Sequence, residues 1–415
     1  MTTTRRTEVL VIGAGPAGSA AAAWCARAGR DVLLVDRATF PRDKACGDGL
    51  TPRAIAELRH LGMADYLATC ARNQGLRASG FGRTLLLPWP GGAWPTYGGA
   101  SPRMRLDNAI RDVAVSSGAD TMQGARAVDV EVASGALNAV VFRTDAGPMR
   151  IEAERVIVAD GAKSPLGRLL KREWHRETVY GVAARAYVES GRHDDPWISS
   201  HLELRDADGT LLSGYGWVFP LADGGVNIGV GTLATAKRPA DINLRALLDT
   251  YASARRDDWQ LRGEVRDFAS APLPMGGAVS NIAGRNWVMV GDAAACVNPL
   301  NGEGIDYGLE TGRLASELIA DGTRDFTRAW PQILHAHYGS AFSIARRLGY
   351  LLTVPGFLPA AGPVGMRSTA LMRLALRWMG NLVDDDDRDA AARLWKAAGR
   401  ASLKFDERKP FGIAA

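Results

Sequence analysis

The apolar positions of the chain fall into three kinds of pattern. Residues 8–12 (EVLVI) and 31–35 (DVLLV) are short continuous apolar runs of the kind that form buried strands, and the Ala-rich stretch 19–29 (SAAAAWCARAG) between them is helical in character. Two more such runs lie in RVIVADG, which ends in Asp160-Gly161, and in NWVMVGD, which ends in Gly291-Asp292. Residues 199–233 alternate and carry two turn signals, DADG and ADGG, which predicts three antiparallel strands. Beyond residue 330 the pattern changes again. Residues 349–365 are apolar and interrupted by prolines, and 366–383 predict a helix. Leu371, Leu374, Ala375, Trp378 and Leu382 share one face of that helix, with Arg373 and Arg377 opposite. The acidic run 384–387 predicts a solvated turn or helix start, and the last dozen residues a loose tail.

Composition narrows the class. A chain of 415 residues has room for two or three domains. Its 47% hydrophobic and 23% charged residues suit a globular protein with a large core and no need of disulfides. The four cysteines (Cys25, Cys46, Cys70, Cys296) lie far apart without metal-ligand spacing, which argues against zinc and fits a reducing compartment. The start MTTTRRTEVLVIGAG enters a strand without a signal-peptide apolar region, and no run of 18 apolar residues occurs. The net charge of +5 comes without a basic stripe interleaved with aromatics, so an anionic membrane surface suits it better than a nucleic acid.

The sequence GAGPAG (13–18) sits between the first strand and the first helix. Gly13, Gly15 and Gly18 therefore match a dinucleotide-binding turn in its required setting. Gly13 allows the tight turn, Gly15 lets the backbone approach a pyrophosphate, and Gly18 lets helix and strand pack closely. The helix N-terminus then offers free N–H groups to the phosphates. Asp36, at the end of the second strand, is placed to accept hydrogen bonds from ribose hydroxyls. This motif alone does not separate NAD from FAD.

With Asp160-Gly161 and Gly291-Asp292 following in order, the chain resembles the flavoprotein family of aromatic hydroxylases, flavin-dependent halogenases and geranylgeranyl reductases, over roughly residues 8–320. The resemblance implies an α/β FAD-binding Rossmann-like domain of the glutathione reductase and hydroxybenzoate hydroxylase type (1–75, 101–175, 275–330). It also implies an inserted antiparallel-sheet substrate domain (76–100, 176–274) and a C-terminal helical, membrane-facing region (331–415). It implies that Asp36 binds the adenosine ribose and that Arg103, in RMRLD, lies near the pyrophosphate. Asp160 then supports cofactor and fold, Asp292 takes ribityl or ribose hydroxyls, and Gly302 and Gly304 open a helix facing the isoalloxazine. Pro16, Ala17, Arg37, Lys44, Gly47, Val128, Gly161 and Ile305 complete the implied FAD contacts. Asp160 also reads as an N-cap for the helix that follows it.

Two motifs point to a branch. KACGDGL (44–50) resembles the Cys-Gly segment that geranylgeranyl reductases place near flavin and double bond, and GYGWVFP (214–220) resembles their Y-x-W-x-F-P motif. Menaquinone-tail reductases share both. Cys46, Tyr215 and Trp217 are the implied catalytic residues, and alternation puts Tyr215, Trp217 and Phe219 on one sheet face. Trp89, Trp94 and Tyr97 are candidates to extend this aromatic wall. The halogenase branch needs a lysine in the first half of the chain, and none lies between Lys44 and Lys163. The expectation is an FAD-dependent reductase of an isoprenoid lipid or quinone tail, held peripherally on the inner face of the cell membrane, with an unidentified electron donor. The alternatives are a flavin hydroxylase of an aromatic or polyketide substrate and a non-catalytic flavin-binding partner of membrane enzymes.

Overall fold

The computed structural model describes residues 3–412. Strands Thr3–Ile12, Val32–Val35, Asp120–Met122, Gly147–Val158 and Trp287–Met289 form the parallel part of a seven-stranded sheet, in which Ala136–Thr144 and Arg126–Ala133 extend the edge antiparallel. Register decides where a ligand can sit. Ile12 pairs with both Val35 and Val158, and Val158 pairs with Met289. The apolar runs read from the sequence thus end level with one another. Gly13, Asp36, Asp160 and Gly291 follow at one C-terminal edge, where open α/β sheets hold ligands.

Helices Pro16–Arg27 and Ile305–Ala320 cross at van der Waals distance because small residues meet there. A Cβ on Gly312 would lie 2.4 Å from Ala17 O, and one on Gly291 would lie 3.0 Å from Ala17 Cβ. Glycine at 312 therefore answers to close packing, since its own backbone is ordinary helix.

The second sheet has the order Leu261–Leu273, Tyr180–Ser190, Gly225–Ala234, Gly214–Pro220, Ile198–His201, Gly75–Gly80, Arg83–Pro88. The strands predicted over 199–233 are the Ile198–His201, Gly214–Pro220 and Gly225–Ala234 members. Alternation separates its faces. Val218, Ile228 and Val230 pack under the helix Leu244–Ala254, while Tyr215, Trp217 and Phe219 face the other way. A three-stranded piece (Gly49–Leu50, Gly98–Ala100, Ala71–Asn73) lies beside the KACGDGL segment.

The C-terminal region begins at Phe326, a few residues before the expected boundary, with the helix Phe326–Leu352. Helices Phe357–Met366, Thr369–Met379 and Ala390–Leu403 follow. The chain bends by 109° between the first two, and no single helix among the described residues is long and apolar enough to cross a membrane. Two expectations are corrected. The tail is not loose where it is described, because Phe411 is buried against Phe342 and Tyr338 and its N–H donates to Gly277 O at 2.8 Å. The 366–383 helix does not present one apolar stripe. Trp378 stacks on Trp395, Leu382 is in the core, and Arg377 is held by Asp387 and Asp389 at 2.9 and 2.7 Å.

Because the atoms nearest a Gly312 Cβ are backbone, Gly312→Ala forces the helices apart. Urea unfolding should show a loss of about 1–3 kcal/mol, with weaker cofactor retention, as overpacked cores do. Unchanged stability would mean that the crossing yields freely.

Candidate active site

The glycine turn is built by contact. Gly13 has φ +105°, and a Cβ there would lie 2.3 Å from Ala159 O; a Cβ on Gly18 would lie 1.8 Å from Gly13 O. Gly15 differs, having an ordinary φ of −74° and only the Arg42 guanidinium within reach, 3.5 Å from its Cβ position. The space above Gly15 is the opening that a pyrophosphate needs. The first helical bond runs from Ser19 N to Gly15 O, no side chain caps the helix, and Pro16 has no N–H. The amides of Ala17 and Gly18 are therefore donors without a helical acceptor.

Asp36 is buried and accepts N–H bonds from Ala14 at 2.7 Å and Ala38 at 2.8 Å, one on each oxygen. Each oxygen keeps lone-pair capacity for a hydroxyl. Arg37 beside it is exposed, as is Val128 on the strand Arg126–Ala133. Asp160 accepts from Leu166 N through Oδ2, while its Oδ1 is buried without a partner. The N-cap of Pro165–Leu169 itself is Ser164. Burial holds the Asp160 carboxyl above its ordinary pKa. Lys44 Nζ meets Asp292 Oδ2 at 3.1 Å and comes within 4.0 Å of the Cβ position of Gly161. Gly302 turns at φ +76°, and Gly304 opens the helix beginning at Ile305 with no side-chain cap. Two uncapped helix starts, an orphaned carboxylate oxygen and an open glycine turn share one sheet edge, so the residues present fit FAD.

Arg103 shares the Asp107 carboxylate with Arg42, the cation over Gly15. Arg103 is buried in a bidentate pair with Asp107, at 2.6 and 2.8 Å, with the Cys46 thiol beside its guanidinium. Arg42 reaches the same carboxylate at 2.8 Å. An arginine in a loop carries no periodic signal, which is why Arg42 escapes a sequence reading.

The KACGDGL loop packs on the aromatic strand. A Cβ on Gly47 would lie 3.2 Å from Phe219 and 3.3 Å from the Trp217 indole nitrogen, and one on Gly49 would lie 3.0 Å from Phe219. A side chain at either position would require the Trp217 and Phe219 rings to give by a few tenths of an ångström. Trp217 is buried, and its indole N–H donates to Asn227 Oδ1 at 2.8 Å. Asn227 in turn donates to Cys46 O at 2.9 Å and Asp48 Oδ2 at 2.8 Å. Tyr187 donates to the same Asp48 oxygen at 2.7 Å, and Asp48 N–H donates to Cys46 Sγ at 3.4 Å. Trp217 thus holds the Cys46 loop from below, and it is Tyr215 and Phe219 that stay half-exposed. Burial pushes the Cys46 thiol up, with Arg103 opposing, so the resting group is a thiol. Trp89 and Trp94 share a cluster with Phe219 and Leu382 and so extend the aromatic stripe at its Phe219 end, while Tyr97 lies under Arg72 at 4.0 Å.

A second acid group meets this loop. Thr51 Oγ1 donates to Glu303 Oε1 across a very short contact, and Glu303 N–H donates to Asn301 Oδ1 at 2.9 Å. The Tyr215 hydroxyl donates to Asn301 O at 2.6 Å. Behind Glu303, Arg53 pairs with Asp306 at 3.2 Å and Glu310 at 2.6 Å. Besides Arg42, sequence reasoning missed Asp48, Asn227, Glu303 and Arg53. Asp48 and Glu303 lie inside glycine-rich motifs already singled out, so position was the available signal.

A family model described as FAD binding domain matches residues 6–321. The menaquinone reductase of Mycolicibacterium smegmatis is 60% identical over 98% of this chain and 99% of its own length. The digeranylgeranylglycerophospholipid reductase 1 of Methanopyrus kandleri is 28% identical over 83% of this chain and 90% of its own. Among solved structures, a geranylgeranyl bacteriochlorophyll reductase-like protein from Thermoplasma acidophilum superposes with a TM-score of 0.77 at 18% identity, covering 95% of this chain and all of the other.

Asp48 has a measurable consequence. Burial raises its pKa from 3.8 to about 6, with Tyr187 and Asn227 opposing. The fold therefore binds more protons than the unfolded chain between these values, and stability falls as pH rises through that window. Relative to Asp48→Asn, the native protein should lose on the order of 3 kcal/mol between about pH 4 and pH 6. Parallel pH profiles for the two proteins would place the ionisation elsewhere.

Proposed function

The chain belongs to the FAD-binding-domain flavoproteins, in the branch that holds the geranylgeranyl and menaquinone reductases, and on that footing we propose that it saturates a carbon–carbon double bond in the polyprenyl tail of menaquinone. One observation carries the reading. The Cys46 loop packs on Trp217 and Phe219, and the Tyr215 hydroxyl of the same stripe donates to Asn301 O, beside the glycines that open the Ile305–Ala320 helix. A hydroxylase has less support, since the relative at 60% identity is a reductase.

Reduced FAD, when bound, supplies the hydride. The protein must do the rest for an alkene that no carbonyl activates. The half-exposed rings of Tyr215 and Phe219 present apolar faces to the chain, and ring faces favour the cationic character that develops at a branched alkene carbon. A polyprenyl chain lying against these rings would exclude water, which strengthens every polar interaction in the site. The Asn227–Asp48–Trp217 network fixes the Cys46 loop in place. The uncapped amides of the Ile305–Ala320 helix favour negative charge at the cofactor.

The proposal extends to a peripheral position on the inner face of the cell membrane, because a polyprenyl tail resides in a bilayer. The support is the helix Phe357–Met366, in which Met366 is the single buried residue. Val364 is 59% exposed, Leu371 44% and Leu351 37%. Buried apolar side chains and nearby basic residues both add to interfacial binding.

Two experiments follow. Mass spectrometry of polyprenyl quinone incubated with reduced enzyme should show one added pair of hydrogens per saturated bond. Cys46→Ala and Trp217→Phe should keep FAD yet slow that conversion, by up to about 100-fold if the loop shifts by about 1 Å. Normal turnover in both would make the loop ordinary packing. In sedimentation with anionic vesicles, the protein should pellet and the pair Val364→Asp, Leu371→Asp should not. A native protein that stays in the supernatant would remove the membrane proposal.

A further inference from the structure

The site holds more acid groups than cations can satisfy. Glu57, Glu310 and Asp306 are served by two guanidinium groups. Arg313 reaches Glu57 at 2.9 Å and Glu310 at 3.8 Å, and Arg53 reaches Glu310 at 2.6 Å and Asp306 at 3.2 Å. Glu303 has no cationic partner among the described residues, and its hydrogen bonds come from neutral groups, Thr51 and Asn301. An unpaired carboxylate in such a place keeps its proton instead. Glu303 also lies where chemistry is expected. Thr51 ties it to the end of the Cys46 loop, and Asn301, its other partner, receives the Tyr215 hydroxyl.

We propose that Glu303 is a neutral carboxylic acid and delivers the proton that accompanies hydride addition to the alkene, an inference that rests on the prenyl-reductase reading above. Hydride from the two-electron-reduced flavin forms a C–H bond to one alkene carbon. The π electron pair forms the second C–H bond, to the Glu303 proton. The C=C π bond and the Glu303 O–H bond break, the flavin is left oxidised, and Glu303 is left as a carboxylate that water reprotonates. Most of Glu303 is buried, but a minor part of its surface stays open, so water reaches it.

The other protic groups nearby suit the task less well. The Tyr215 hydroxyl donates to Asn301 O, and burial raises its pKa further out of range. Burial raises the Cys46 thiol as well, making a weak acid weaker. Burial and the neighbouring Asp306 hold Glu303 well above the usual carboxylate range, so the acid is retained at neutral pH. The ionisable groups facing it are Asp306, Arg53, Tyr215 and Tyr307. Asp306 is itself pushed up to about 7 by burial, and its Oδ1 has no partner, which makes it a second station for the returning proton.

The test uses Glu303→Gln, a neutral isostere that leaves the charge balance intact, with Glu303→Asp as the companion that keeps an acid. Infrared difference spectra of the FAD-loaded proteins at neutral pH should show a protonated-carboxyl band in the native protein that Glu303→Gln lacks. Both variants should bind FAD and accept electrons normally. When pre-reduced enzyme meets polyprenyl quinone, Glu303→Gln should slow flavin reoxidation by about 100-fold or more, the usual worth of a positioned acid, with Glu303→Asp in between. In deuterated water the native enzyme should place deuterium at the carbon that Glu303 protonates, and at the neighbouring carbon as well once the flavin N–H has exchanged with solvent. Reoxidation by Glu303→Gln within about threefold of native, or an unchanged carboxyl band, overturns the proposal. Native enzyme that saturates no prenyl chain would instead overturn the substrate reading, and the proton delivery with it; an active native enzyme with an equally active Glu303→Gln overturns the proton delivery alone.

Discussion

Asp48 joins the two halves of the molecule. Its carboxylate is fully buried, and it sits on the loop that leaves the FAD-binding sheet while its partners Asn227 and Tyr187 stand on the antiparallel sheet. A buried carboxylate without a direct ion pair is costly unless it is well hydrogen-bonded. Here both bonds to Oδ2 come from the other domain, so docking supplies what hydrogen bonding the group has, and Oδ1 stays buried without a partner. The same docking lays Gly47 and Gly49 on Trp217 and Phe219 and holds the Cys46 loop against the aromatic strand. Shape and polarity therefore specify one arrangement together.

The cofactor cradle follows from a different constraint, which is steric. Four strand ends level in register leave their connecting residues crowded, and only glycine fits at Gly13 and Gly18. Two helix starts without side-chain caps then point at one region. An anion placed there meets free N–H groups without disturbing any existing bond. The binding site is in this sense the place where the fold leaves its own donors unsatisfied.

The C-terminal helices are tied to the site as well as to each other. Asn298 donates to Met379 O at 2.8 Å, Arg53 to Asn381 O at 3.5 Å, and Asn381 to the Tyr307 hydroxyl at 3.0 Å. Tyr307 belongs to the helix that begins just after Glu303. The segment that exposes apolar side chains is thus in hydrogen-bonded contact with the acid cluster. A substrate that moved these helices would also move the groups around Glu303. Phe411 closes the far side by filling a space beside Phe342, which makes the end of the chain part of the core.

The glycine turn, the Asp160-Gly161 and Gly291-Asp292 strand ends and the aromatic strand were legible in the sequence, because each rests on local rules. A short apolar run makes a buried strand, glycine permits a close backbone approach, and alternation sorts the faces of a strand. By itself the sequence therefore determined the α/β class, the FAD cradle and the Tyr215–Trp217–Phe219 stripe. What it could not determine are pairings between distant segments. The placing of Arg42 over Gly15, the Asp48–Asn227 link, the Thr51–Glu303 contact and the capture of Arg377 by Asp387 and Asp389 join residues whose meeting depends on how domains and helices pack. Only the tertiary structure decided these, because the ionisation of a buried acid and the partner of a long cation depend on which other groups share its low-dielectric surroundings. No local pattern along the chain encodes that.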